Sequence, residues 1–170
     1  PRLDSVVVDN AAAAGAVPRD MDRRDMDRAR EHFVQATRLA VDAGFDILHL
    51  DFAHGYLLAT FLSPISNVRG DDWGGSLTNR LRFPLEVFEA VRAEWPAERP
   101  LTVCLLVSDE QPGGLELDDA VEVARALSDR GCDAIEVAAG QTTPAGNPSY
   151  GRHFLTPFSD AIRNAVGVAT

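Results

Sequence analysis

Asp51, His54 and Tyr56 lie within six residues of one another, in the run Asp51-Phe52-Ala53-His54-Gly55-Tyr56-Leu57-Leu58. A carboxylate, an imidazole and a phenol at that spacing form a polar constellation able to act on a small substrate. Imidazole changes charge near neutral pH, and a phenol can give a proton to a developing carbanion without carrying charge beforehand. The competing reading is that His54 and Tyr56 only hydrogen-bond loop backbone, as polar residues at strand ends often do. The spacing is not that of a strong metal-ligand set, and no His/Cys/carboxylate cluster elsewhere in the sequence supplies missing ligands. Cys104 and Cys132 both sit in apolar runs. Two such residues make no disulfide framework and read as reduced core thiols.

These side chains need a scaffold, and the chain predicts one by alternating helices with short apolar strands. A helical rhythm starts at Asp22, carried by Met26, Ala29, Phe33, Thr37, Ala40 and Val41, and stops at Gly44. Phe45–Leu50 then reads as a buried strand, and Asp51–Ser76 as a long loop broken by Pro64, Gly70, Gly74 and Gly75. Helices are expected over about Leu77–Glu94, Leu117–Arg130 and Phe158–Ala165, and strands over Leu101–Val107 and Ala134–Ala138. Val168–Thr170 looks like the first residues of another strand. Residues 1 to about 24 read as a loop or hairpin leading into the domain, with Leu3 and Val6–Val8 as its one strand. Near-continuous apolar strands alternating with helices imply parallel strands covered by helices. Short helix-to-strand links then lie at one end, and the long loops beginning at Asp51, Ser108 and Ala139 lie at the other. In such folds that second end carries the site.

Composition narrows the function classes. The 170 residues carry 16 basic and 26 acidic side chains, a net charge of −10, and every basic residue is arginine. An acidic surface repels phosphate backbones, which argues against nucleic acid as a partner. No stretch approaches the ~20 apolar residues that span a bilayer, and no signal peptide opens the chain, so the cytoplasm is expected.

The residues from Ala43-Gly44-Phe45-Asp46 through His54-Gly55-Tyr56-Leu57, Phe61-Leu62-Ser63-Pro64, Ser66-Asn67, Gly74-Gly75-Ser76, Asn79-Arg80 and Arg82-Phe83 closely resemble the old yellow enzyme family. That resemblance implies an FMN-dependent (β/α)8 TIM barrel that uses NADH or NADPH to reduce activated C=C bonds. It runs over about Met21–Thr170, so residues 25–170 are expected to be the central part of such a barrel, strands four to six plus the start of the seventh. The early strands, and the last two with their phosphate loops, are expected in segments not shown. The tail, Gly140-Gln141-Thr142 with Tyr150-Gly151-Arg152 and Thr156-Pro157-Phe158, resembles the reductase-like domain of the salicylyl-CoA 5-hydroxylase and anthraniloyl-CoA monooxygenase group. An aromatic acyl-CoA substrate and a monooxygenase neighbour would follow.

Carried over position by position, the resemblance makes His54 the second member of a His-x-x-His or His-x-x-Asn pair that binds the substrate's electron-withdrawing oxygen, and Tyr56 the proton donor. Asp51 stands where the pair's first donor belongs. Cys104 stands where the family places an Arg at the N1/O2 edge of the flavin, and Gly140 is the second expected cofactor contact. A carboxylate accepts rather than donates, and a thiol brings neither charge nor a fork of donors. Two readings follow. One is a catalytic ene-reductase-like segment; the other is a degenerate, flavin-free barrel segment acting as a structural or docking module. Either way the strands at the two edges need partners, supplied by the remainder of the barrel, another chain or a homo-oligomer.

Overall fold

The computed structural model describes residues 20–143 and 150–170. The expected N-terminal strand at Leu3 and Val6–Val8 lies outside them. Helix α1 spans Arg23–Asp42 and begins with a reciprocal cap. The Asp22 carboxylate accepts the Asp25 N–H at 2.9 Å, and the Asp25 carboxylate accepts the Asp22 N–H at 3.1 Å. Two of the helix's orphan donors are satisfied this way, which is why it starts where the apolar rhythm does. Gly44, at φ 80°, turns the chain out of the helix in a conformation that glycine adopts without strain.

Strand β1 covers Leu48–Phe52, a correction to the expected Phe45–Leu50. The Phe45 N–H still bonds back to the Ala40 carbonyl at 3.1 Å, and the first link across the sheet is Leu48 N–H to the Pro100 carbonyl at 3.2 Å. Phe45 and Ile47 are consequently 60% and 57% exposed. The shift places Asp51 inside the strand rather than at the mouth of a loop. A second correction follows at once: the expected loop from Asp51 to Ser76 contains helix α2, Leu57–Leu62. Residues Leu58–Leu62 are all buried, so this short helix is apolar on every side. Six residues are too few for the helical period to show against such a background.

Helix α3, Leu77–Glu94, has the predicted bounds and is capped by Ser76, whose side chain accepts the Asn79 N–H. Strand β2 is Leu101–Ser108, helix α4 is Leu117–Ser128, strand β3 is Ala134–Ala139, and helix α5 is Thr156–Val166. The three strands form a parallel sheet in the order β1-β2-β3. The onset of the expected last strand is a single parallel bridge, Ala169 to Ala134, with Ile135 N–H donating to the Ala169 carbonyl at 2.8 Å. Both cysteines are reduced and buried, as expected.

Strand alternation splits the sheet into two faces. Leu50, Phe52, Val103, Leu105 and Ile135 are buried in the core, together with Phe61, Phe83 and Phe88 from the helices. His49, Asp51, Thr102, Cys104 and Glu136 occupy the other face, with Asp51 in register with Cys104 and Cys104 with Glu136. Among the described residues no helix is long and apolar enough to cross a membrane.

Candidate active site

The segments that follow the three strands converge on one buried carboxylate. Asp109, 1% exposed, lies directly after β2. Its Oδ2 accepts the Ser63 hydroxyl at 2.7 Å, from the segment after β1, and the Leu115 N–H at 2.6 Å, from its own loop. Its Oδ1 accepts the Thr142 hydroxyl, from the segment after β3. Gly114 packs so closely that a Cβ there would lie 2.4 Å from the Asp109 Cβ. The site end of the sheet is thus tied at a single point. Sequence reasoning passed over Asp109 and gave Ser63 and Thr142 no role beyond the runs that carry the resemblance; the one available signal was an acidic residue just past a strand and before Gly113-Gly114.

Asp51, His54 and Tyr56 come together as their spacing predicts, but in different roles from a row of three. His54 and Gly55 adopt left-handed backbone, φ 57° and 68°, and this turn folds the imidazole back over the strand end. Its Nδ1 reaches Asp51 Oδ2 at 2.9 Å, while Asp51 Oδ1 accepts the Ala53 N–H at 2.7 Å. A non-glycine residue at that φ is strained by ~1 kcal/mol or more, offset here by two hydrogen bonds to a charged group. Because a carboxylate only accepts, the dyad puts a proton on His54 Nδ1 and leaves Nε2 to face outward. Asp51 therefore holds the His54 ring in place through Nδ1. Tyr56 begins α2, is 54% exposed, and its ring lies edge-on to His54 with centroids 6.2 Å apart.

The two expected cofactor positions behave differently. Cys104 is 3% exposed; burial first, then the Glu136 and Asp51 charges, push its thiol up to about 12, so it stays neutral. Gly140, at φ 72°, spends its N–H on the Ser108 carbonyl at 2.7 Å and so closes the ends of β2 and β3. One layer deeper on the same face, His49 Nδ1 lies 2.7 Å from the Thr102 hydroxyl and Nε2 lies 3.3 Å from Glu136 Oε2. These three line a cavity of about 490 Å³. Nothing in their spacing, 49, 102 and 136, announced that grouping.

Comparison with known proteins identifies the family and the fold. Residues 4–163 match the NADH:flavin oxidoreductase / NADH oxidase family. An NADPH dehydrogenase of Geobacillus sp. (strain WCH70) is 40% identical over 153 residues, 90% of this chain and 44% of that protein. Among solved structures, 2-naphthoyl-CoA reductase in complex with 2-naphthoyl-CoA superposes with a TM-score of 0.74 at 27% identity, over 85% of this chain and 23% of the other. Morphinone reductase in complex with tetrahydroNAD gives 0.67 at 28% identity, over 90% and 40%. The fold is accordingly a partial (β/α)8 barrel, and the chain spans less than half the length of the curated relative it matches. FMN is the cofactor that this likeness implies; at the end of β3, Ala139 is packed in the core and Gly140 is buried. In charge, positions 51 and 104 offer an engaged carboxylate and a neutral thiol, so they suit the neutral ring and give no cation to an anionic one.

Proposed function

Because the chain belongs to the NADH:flavin oxidoreductase / NADH oxidase family, whose cofactor is FMN and whose electron donor is NADH or NADPH, we propose that it forms the substrate-protonating wall of a reductase for activated C=C bonds. The observation that carries this is the Asp51–His54 dyad set edge-on to an exposed Tyr56 at the end of β1. When bound, FMN carries the hydride between nicotinamide and the substrate's β-carbon.

The remaining steps belong to this chain. His54 orients the substrate through its carbonyl end, its ring held in place by Asp51. Asp51 fixes the ring's orientation and tautomer through Nδ1. Tyr56 gives its phenolic proton to the α-carbon and is recharged from solvent, which its exposure permits. Cys104 and the Gly140 turn would hold the flavin's edge. We read the substrate as a small activated alkene, with an aromatic acyl-CoA supported by the likeness to 2-naphthoyl-CoA reductase. The tail at 140–160 adds a neighbouring aromatic acyl-CoA monooxygenase to that reading. Residues 25–170 serve as the central part of the barrel, and the remaining strands or a second copy complete the sheet's edges. Two reduced, buried cysteines support a cytoplasmic setting.

The test uses the full-length protein. Purified protein should be yellow and release FMN on denaturation. Tyr56→Phe should slow oxidation of the reduced enzyme by substrate, roughly 10- to 10⁴-fold, and leave reduction by NAD(P)H unchanged. Equal slowing of both half-reactions would overturn the role of Tyr56. A second reading, a flavin-free docking segment, is favoured by the neutral Cys104 and the engaged Asp51; colourless protein that cannot be loaded with FMN would establish it.

A further inference from the structure

We propose that His49, Cys104 and Glu136, one from each strand of the sheet, form a binding site for a divalent transition metal of the Zn²⁺ class. One ring nitrogen of His49, Sγ of Cys104 and a carboxylate oxygen of Glu136 all lie within 4.8 Å of one another. The mixture of nitrogen, sulfur and oxygen donors is the one that Zn²⁺ takes. All three side chains project from paired strands rather than loops, so the donors are held in place before any ion arrives.

The hydrogen bonds around His49 carry the inference further. With Thr102 Oγ1 donating to the Leu48 carbonyl at 3.3 Å, the Thr102 oxygen lies 2.7 Å from His49 Nδ1 and can accept from it. That is the outer hydrogen bond by which metal-bound imidazoles are oriented. It leaves Nε2 facing the Glu136 carboxylate at 3.3 Å. Two ligands at ~2.0 Å on a tetrahedral ion stand roughly 3.3 Å apart, which is the separation found. The third donor, Cys104 Sγ, is 3% exposed and makes no hydrogen bond among the described residues. A thiol beside two carboxylates is a poor anion alone and a good one on a dication.

The competing group, Asp51, His54 and Cys104, also gathers within 4.8 Å. Both Asp51 oxygens, however, are already engaged, by Ala53 and by His54. An ion one layer below would leave that dyad intact and place positive charge beside position 104, where the side chain supplies none. The site shares Cys104 with the flavin edge of the reductase reading, whereas His49 and Glu136 take no part in that reading.

Co²⁺ is the probe, titrated into the full chain after chelator treatment. The expected result is one equivalent bound, with an ultraviolet thiolate-to-cobalt band, visible bands of tetrahedral cobalt, and displacement by Zn²⁺. Cys104→Ser should remove the ultraviolet band. His49→Ala and Glu136→Gln should each weaken binding by more than the roughly 10–100-fold that outer-shell changes cost. His54→Ala should leave the spectrum unchanged. Glu136 is exposed, so Glu136→Gln remains informative even if Cys104→Ser fails to fold. Absence of the bands in the unaltered chain would overturn the proposal. So would their loss in His54→Ala with retention in His49→Ala.

Discussion

Replacing Asp109 should loosen the whole site end of the sheet, and by an amount that depends on the replacement. In Asp109→Ala three donors lose their acceptor: the Ser63 hydroxyl, the Leu115 N–H and the Thr142 hydroxyl. Hydrogen bonds to a charged group contribute ~1.5–3 kcal/mol each, and a buried donor left unmade costs about 1–3 kcal/mol. The two hydroxyls can turn toward other acceptors, but the Leu115 N–H cannot. Because the three bonds share one acceptor, their losses do not simply add. Together these give about 3–5 kcal/mol of destabilisation. Asp109→Asn is different in kind. Its amide oxygen can occupy the Oδ2 position and keep Ser63 and Leu115, while its NH2 donates to Thr142 Oγ1. Only charge assistance is lost, about 1–2 kcal/mol. Equilibrium urea unfolding of the full-length protein measures both. Alanine and asparagine variants of equal stability would refute this account, because the number of satisfied donors would then not matter. An alanine variant within 1 kcal/mol of the parent would refute the clamp itself.

Gly114→Ala should destabilise the same corner by ~1–3 kcal/mol, since its Cβ would meet Asp109 Cβ at 2.4 Å; an unfolding midpoint equal to the parent's would count against that packing. The double change Asp51→His with Cys104→Arg should tighten FMN retention at least tenfold, ~1.4 kcal/mol, measured by flavin fluorescence during dialysis; unchanged retention would remove these positions as its determinants. Stability should also fall in alkali. Burial pushes the Cys104 thiol up to about 12 and the Cys132 thiol up to about 11 from an ordinary 9.0. Between 9.0 and those values the folded chain holds protons that the unfolded chain has released, so stability is flat below about pH 9 and declines above it. Urea midpoints across that range check this, and the same slope in a Cys104→Ala, Cys132→Ala variant would assign the loss elsewhere.

Most of the scaffold was legible in the residues because its signals are local. Apolar spacing, Asp22 and Ser76 at helix starts, and Gly44 at a helix end each act within a turn or two of chain, so α1, α3 and α4 stand nearly where the pattern puts them. The alternation of helix and strand implied a parallel sheet with its long loops at one end, and the run through His54-Gly55-Tyr56 pointed to the family and to the phenol. Where local signals are weak the reading slipped. Helix α2 is too short and too evenly apolar to show a period, and the start of β1 is set by Pro100, a residue 52 positions beyond Leu48.

What only the folded chain decided is which side chains face each other across the sheet. Register makes Asp51, Cys104 and Glu136 neighbours, and a left-handed turn at His54 and Gly55 makes Asp51, which stands where a donor belongs, the anchor of the imidazole. The Asp109 clamp and the pairing of His49 with Glu136 arise in the same way, from strands and loops that meet after long excursions of chain. Hydrophobic period and capping act over a few residues and can be read in order along a line. Strand register and loop convergence are settled by packing the whole core at once, and no spacing in the line encodes them by itself.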